Sequence, residues 1–398
     1  MESKTRIKGN VHYVGVNDRN KHRFEAMWPL PYGVSYNSYL IDDEMVALVD
    51  TVDICYFEVY LRKIKQVIGE RPINYLIINH MEPDHSGSIR LIKQHYPGII
   101  IVGNKQTFGM IEGFYGVTGE QYLVKEGDFL ALGHHKLRFY MTPMVHWPET
   151  MMTFDETDGV LFSGDGFGCF GTVDGGFLDT RINVDKYWGE MVRYYSNIVG
   201  KYGSPVQKAL QKLGGLPISA ICSTHGPVWT ENIAKVIGIY DRLSRYDADE
   251  GVVIAYGSMY GNTEQMAEAI AEELSAQGVK NIVMHNVTKS HPSYIIADIF
   301  RYKGLIIGSP TYSNQIFPEV EALLSKILLR EVKGRYLGYF GSFTWAGAAV
   351  KRLAEFAEKS KFELVGDPVE MKQAMKDLTY TQCENLARAM ADRLKKDR

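Results

Sequence analysis

The sequence predicts an α/β protein of two unlike domains, a layered sandwich of sheets with helices outside followed by a doubly wound parallel sheet of five strands. Three observations predict it. Before residue 245, short apolar runs come in pairs around turn residues, as hairpins do. After residue 251, apolar runs alternate strictly with helical patterns, which implies parallel strands joined by right-handed crossovers. Between them, the polar stretch RYDADEG at 245–251 reads as a linker, so the domains are expected at 1–248 and 249–398.

In the front domain, strands at 37–41 and 45–50 flank Asp42-Asp43-Glu44, and strands at 150–155 and 160–163 flank Asp158-Gly159, whose glycine accepts the positive φ of a hairpin turn. Helical periodicity appears at 57–68 and 185–198. Mixed hairpins and helices point to stacked sheets with helices on the outside. In the back domain, strands at 252–256, 282–287, 304–308, 336–341 and 362–365 alternate with helices at 261–277, 293–302, 318–329, 347–359 and 381–395.

Composition narrows the function classes. The 398 residues suffice for two cores. A net charge of -3 with 23% charged residues offers no field for nucleic acid or a membrane surface. No apolar run reaches the length of a membrane span, and the polar start MESKTRIKGN is not a signal peptide; a cytoplasmic location is expected. The cysteines Cys55, Cys169, Cys222 and Cys383 form no C-x-x-C pair, which argues against a disulfide framework, an iron–sulfur centre or a rubredoxin-type domain within this sequence.

Seven possible metal ligands stand out in the front domain. NHMEPDHSGS supplies His80, Glu82, Asp84 and His85 after the apolar run 75–78; MVHWPE supplies His146, LFSGDG Asp165 and STHGP His225, each after a strand-like run. Side chains at strand exits converge on one crevice. Seven ligands exceed one tetrahedral ion and suit two ions sharing a carboxylate. An all-histidine first cluster would favour zinc hydrolysis. Glu82 enriches the set in hard oxygen instead, the preference of non-haem iron, and makes redox chemistry the better reading.

The back domain carries a nucleotide signature. Ser258, Met259, Tyr260, Gly261, Asn262 and Thr263 lie between the first strand and helix. Hydroxyls, an amide and backbone N–H groups at a helix start bind a phosphate without a cationic side chain. Neither a Walker Gly-Lys-Ser/Thr nor a G-x-G-x-x-G is present, so a mononucleotide fits best. Two further loops leave strands on the same carboxyl edge, where open α/β sheets bind ligands. One holds Ser309, Pro310, Thr311, Tyr312, Ser313 and Asn314; the other holds Ser342, Phe343, Thr344, Trp345, Ala346 and Gly347. Tyr312 and Trp345 could wall a flat ring.

HMEPDH, VHWPE, SGDGFG and STHGP in the front half, with SMYGNT, SPTY and GSFTWAG in the back, resemble the flavodiiron proteins over nearly the whole chain. The front half resembles a metallo-β-lactamase-like αββα sandwich and the back half a flavodoxin. The resemblance implies FMN and two non-haem irons, and reduction of dioxygen to water, of nitric oxide to nitrous oxide, or both. It implies one iron on His80, Glu82 and His146, the other on Asp84, His85 and His225, and Asp165 bridging; in some members the position of His85 is not a direct ligand. His22 and Tyr195 resemble positions lining the substrate pocket, where an acid would help. Thr344 stands where glycine is common, and Ala346 and Ala348 replace more polar residues; FMN is still expected to bind.

Electron counting supports the pairing of cofactors. Dioxygen needs four electrons to reach water, and a di-iron(II) pair and a reduced flavin supply two each. A metal domain of this length has a radius of gyration on the order of 18 Å, which argues for a head-to-tail homodimer with FMN of one chain facing the irons of the other. An external donor is required, a rubredoxin first and a reduced deazaflavin second. Two alternatives remain: a zinc hydrolase fused to a flavodoxin, and a plain flavin electron carrier with a vestigial metal half.

Overall fold

The computed structural model describes residues 4–397. They form two compact units: one runs to Tyr195 and resumes at Tyr202–Ser244, and the other comprises Ser196–Lys201 and the residues from Arg245 onward.

In the first unit, a seven-stranded sheet runs in the order Arg6–Lys8, Val11–Tyr13, Tyr39–Ile41, Ala47–Val49, Tyr75–Ile77, Ile100–Gly103, Gln121–Leu123. A five-stranded sheet runs Phe129–Ala131, Lys136–Met141, Met151–Asp155, Val160–Gly164, Ala220–Ser223. Both expected hairpins pair antiparallel, Tyr39 opposite Val49 and Phe154 opposite Leu161. The inward residues of the two sheets make one core: Tyr39, Val49 and Ile77 meet Leu137, Phe139 and Phe162. The strands Tyr39–Ile41, Ala47–Val49, Met151–Asp155 and Val160–Gly164 are buried at every position, outer face as well as inner, which is why they read as apolar runs and not as alternating ones.

The helix Phe57–Ile68 buries Phe57, Tyr60, Ile64 and Ile68, the i, i+3, i+7, i+11 stripe of its sequence. The helix expected at 185–198 is shorter. It is α-helical over Asp185–Tyr194, then a π-helix over Tyr195–Val199, then a 3-10 turn over Gly200–Tyr202. The extra residue per turn changes which face points inward after Tyr194, and a pattern read at 3.6 residues cannot anticipate that.

In the second unit, parallel strands run in the order Ile282–Asn286, Asp249–Tyr256, Tyr302–Tyr312, Tyr336–Phe343, then Glu363–Leu364. This 2-1-3-4-5 order is that of doubly wound folds with a carboxyl-edge crevice beside the first and third strands. The fifth position is shared: Val369–Lys372 also pairs with Tyr336–Phe343, farther along it. The strand expected at 362–365 covers only the first piece, because Gly366-Asp367-Pro368 interrupts the apolar run. Two of the expected loops begin later than their sequence implied. Ser309, Pro310, Thr311 and Tyr312 continue the third strand, and Ser342 and Phe343 end the fourth. Among the described residues, no helix is long and apolar enough to cross a membrane.

Candidate functional site

Strand ends of the first unit deliver all seven candidate ligands to one buried place. Asp50 accepts hydrogen bonds from Asn79 N and Nδ2 at 2.8 and 3.2 Å, and Thr153 Oγ1 donates to Asn79 Oδ1 at 2.7 Å. That pins the exit of strand Tyr75–Ile77 and turns His80 inward. Glu82 precedes the short helix Pro83–Ser86 and accepts from His85 N and Ser86 N through its backbone carbonyl, leaving its side chain for the cluster; the helix carries Asp84 and His85 on its first turn. Asp165 follows Gly164, whose φ of +55° lets the chain turn sharply off its strand. His225 precedes Gly226 (φ +82°), where a Cβ would lie 2.2 Å from Cys169 Sγ, so only glycine fits.

The Asp165 carboxylate divides these residues into two donor sets. Its Oδ2 lies 3.1 Å from His146 Nε2 and 3.7 Å from His80 Nε2, and His146 Nε2 also lies 3.2 Å from Glu82 Oε2. Its Oδ1 lies 3.2 Å from His85 Nε2 and 3.5 Å from His225 Nε2, and His225 Nε2 is 3.4 Å from Asp84 Oδ2. Thr224 Oγ1 also donates to Oδ1.

Burial decides what this cluster is for. All seven side chains are buried, yet both Asp84 oxygens, His85 Nδ1 and His225 Nε2 have no hydrogen-bond partner. A buried carboxylate without a donor is costly unless a cation completes it. Burial would lift the Glu82 carboxyl, but hydrogen bonds with His146 and His80 outweigh it and hold the group at about 2. Burial would likewise disfavour charged His85 and His146, yet neighbouring Asp165 and the carboxylates beside it push both up to about 10. The donor atoms of His80, Glu82, His85 and Asp165, and those of Asp84, His85 and His225, each lie within 4.8 Å of one another, close enough to hold a metal ion. The chemistry of the set, imidazole and carboxylate without thiolate, fits iron.

A cavity of about 620 Å³ reaches Glu82 and Asp84 from the surface, lined also by Lys21, Phe24, Asp53 and Phe114. His22 is exposed on the approach to the hairpin of Arg23–Phe24 and Trp28–Pro29; it is Phe24 that stacks edge-on against His225, ring centroids 5.3 Å apart. Tyr195 is buried against Tyr240, 5.0 Å away. Its neighbour Tyr194 faces the cluster, 5.8 Å from His225, with a buried hydroxyl that has no hydrogen-bond partner. The helical pattern did not separate the two: Tyr187, Met191, Tyr194 and Tyr195 stand at i, i+4, i+7 and i+8, and both tyrosines are buried. Two other contributors escaped the reading. Glu149 bonds His80 Nδ1, and the backbone carbonyl of Ser35 bonds His225 Nδ1 at 2.8 Å.

In the second unit, the loop 257–261 opens the helix Asn262–Ala276 with Gly261 at φ +87°. Ser258 Oγ accepts from Gly261 N and Glu264 N, and Thr263 Oγ1 meets Ser342 Oγ at 2.8 Å, tying the first loop to the fourth strand. Both hydroxyls therefore shape the loop. Ser313 and Asn314, both at positive φ, form the two-residue turn of a hairpin in which Tyr312 pairs with Gln315. Thr311 Oγ1 accepts from Ala348 N and Ala349 N, which joins this hairpin to the segment of Thr344, Trp345, Ala346 and Gly347. Tyr260 and Trp345 are 88% and 82% exposed, aromatic faces left free at the carboxyl edge.

Residues 34–226 match the family model described as ODP family beta lactamase, and residues 254–385 match the flavodoxin model. Over 363 residues the chain is 32% identical to an anaerobic nitric oxide reductase flavorubredoxin of Vibrio vulnificus, covering 90% of this chain and 73% of that one. It is 31% identical over 364 residues to the protein of the same name from Escherichia coli, covering 90% and 76%. Among solved structures, the rubredoxin oxygen:oxidoreductase of Desulfovibrio gigas matches with a TM-score of 0.93 at 31% identity, covering 97% of each chain. The flavodiiron protein of Giardia intestinalis matches with a TM-score of 0.91 at 26% identity, covering 98% of this chain and 97% of that one. Likeness in sequence and likeness in fold agree across both units, and the chain belongs to the flavodiiron protein family of oxidoreductases.

Proposed function

We propose that this protein reduces dioxygen to water, nitric oxide to nitrous oxide, or both, using FMN on the second unit and two non-haem irons on the first. The observation that carries the reading is the divided carboxylate of Asp165, one oxygen toward His80 and His146 and the other toward His85 and His225. His80, Glu82 and His146 would hold one iron, and Asp84, His85 and His225 the other. Bound there, the irons and the flavin supply the electrons that the reduction consumes.

The chain's own residues do the rest. Asp165 sets the separation of the two positions, and Thr224 donates to it. Phe24 closes the His225 side against water, and Tyr194 stands where its hydroxyl can give a proton to a bound substrate. This assigns to Tyr194 the role expected of Tyr195, and gives His22 no contact with the reacting groups. Ser258 and Thr263 shape the phosphate loop, while Tyr260, Tyr312 and Trp345 offer faces to the flavin ring.

Both gases stay in the reading because the relatives differ in name: two are nitric oxide reductases, and the Desulfovibrio gigas protein is an oxygen oxidoreductase that names rubredoxin. A rubredoxin is the proposed donor, with a reduced deazaflavin second. A head-to-tail homodimer is proposed from exposed apolar groups on each unit: Ile54 and Phe114 at the cavity mouth are 54% and 53% exposed, and Tyr260 and Trp345 stand at the flavin loops. A cytoplasmic location belongs to the same proposal.

Anaerobic purification with metal and flavin analysis tests the cofactors, and stopped-flow oxidation of the reduced protein by each gas tests the activity. Two irons and one FMN per chain, with reoxidation by at least one gas, are expected. Zinc alone in the cluster, or a reduced protein inert to both gases, refutes the proposal.

A further inference from the structure

The two donor sets differ in what stands behind their histidines. His80 Nδ1 lies 2.7 Å from Glu149 Oε1, which also accepts from Met81 N at 2.9 Å. Both His80 and Glu149 are fully buried, so this contact acts in a low dielectric. Glu149 is itself fixed, because Asn104 Nδ2 donates to its carbonyl at 2.6 Å while Asn104 Oδ1 caps the helix Lys105–Tyr115. In the other set, His225 Nδ1 faces only the neutral carbonyl of Ser35, and His85 Nδ1 has no hydrogen-bond partner. Both sets share Asp165 and each contains one further carboxylate, Glu82 or Asp84. Buried Asp50 acts through space on both His85 and His80, so the sets differ in hydrogen bonding: among the described residues, Glu149 is the carboxylate bonded to the outer nitrogen of a ligand histidine.

We infer that Glu149 is a positioning residue that fixes His80 as the Nδ1–H tautomer, aims its Nε2 at the cluster, and makes the position of His80, Glu82 and His146 the tighter of the two for iron. A carboxylate that accepts the outer N–H of a ligating histidine orients the ring and raises its basicity. A backbone carbonyl orients it as well but lends no charge. Glu149 Oε2 has no hydrogen-bond partner. The carboxylate is therefore committed to His80 and Met81 on one oxygen, which ties its placement to the histidine. This inference rests on the two-iron reading above.

The test is an anaerobic titration of Fe(II) into the full-length, FMN-containing protein stripped of metal, comparing wild type with Glu149→Gln. Glutamine can still accept from Met81 N and His80 Nδ1, so a merely structural role would survive the change. Wild type is expected to bind two Fe(II) with unequal affinity. In Glu149→Gln the tighter step should weaken by roughly 10–100-fold while the weaker one changes little. Unchanged affinities, or equal loss at both steps, overturn the inference.

Thermal melting and FMN content of the stripped variant establish that it folds. If it does not fold, the wild type still decides. In the Zn(II)-loaded protein with nitrogen-labelled histidine, His80 should be protonated at Nδ1, and protonation at Nε2 overturns the inference. A wild type that takes up no Fe(II) overturns the two-iron reading and this inference with it, whereas a wild type that takes up two confines any failure to Glu149.

Discussion

Tyr194 and His225 stand 5.8 Å apart, ring to ring, with the tyrosine hydroxyl buried and free of any hydrogen-bond partner. Burial, and next the charge of Asp165, raise that hydroxyl above its usual range, which favours the proton-bearing form. A general acid contributes about 10²–10⁴-fold to a rate. Tyr194→Phe should slow reoxidation of the reduced protein by roughly 100-fold with iron and FMN contents unchanged, while Tyr195→Phe should stay within about threefold. Stopped-flow traces read both, and equal effects would remove the distinction.

Asp165 is the residue that both metal positions share. Asp165→Asn keeps the shape but loses the anion that faces His146 at 3.1 Å and His85 at 3.2 Å. Iron content should fall from about two to one or fewer per chain, because neither position retains its shared anionic oxygen. Elemental analysis after gel filtration measures this, and an Asn variant with its full iron would count against the bridge.

Asn37 braces the loop of His225. Its Nδ2 donates to the carbonyls of Ser223 and Gly226, each at 2.9 Å, and its Oδ1 accepts from Tyr13. Asn37→Ala leaves the buried Gly226 carbonyl and Tyr13 hydroxyl unpaired, while the Ser223 carbonyl still accepts from Tyr39, at a cost of about 2 kcal/mol, and the melting transition of the first unit should fall by roughly 4–8 °C. Calorimetry checks it; a loss below about 0.5 kcal/mol would mean the loop is held by something else.

Trp345 is exposed at the carboxyl edge of the second unit. If its ring covers the flavin, Trp345→Ala should weaken FMN binding by about 1 kcal/mol, roughly fivefold. Fluorescence titration of the flavin-free protein gives the constant, and an unaltered one would assign the ring elsewhere.

Stability should also depend on pH through a pair remote from the cluster. His135 Nδ1 lies 2.9 Å from Asp155 Oδ2, both side chains buried. Burial opposes the charged imidazole, but the hydrogen bond and charge of Asp155 outweigh it and raise His135 above its ordinary value. The folded pKa is thus the higher one. The stabilisation is fully present below the unfolded value of about 6.5 and is lost as pH rises through the folded value. The gap in melting temperature between wild type and His135→Gln should narrow from pH 6 to pH 9. A gap that widens would reverse the sign.

Much of this molecule was legible in one dimension. Ligand types at strand exits, the Gly261 turn before a helix, and the switch from paired strands to strict alternation are local features, and local chemistry wrote them. The helix Phe57–Ile68 begins and ends where its apolar stripe does. Other features were not local. Which oxygen of Asp165 serves which histidine depends on strands brought together across the sandwich. Glu149 sits in the quoted VHWPE motif, but its role needs His80, 69 residues away in sequence, to lie against it.

Tyr194 and Tyr195 are adjacent, alike and both on the apolar face of the pattern; only the π-turn that begins at Tyr195 separates them, carrying the second toward Tyr240. The sequence by itself determined which chemical groups are present and which periodicity each segment follows, because both are properties of neighbours along the chain. Only the tertiary structure decided which groups meet, since packing and burial act between residues that no spacing in the sequence connects.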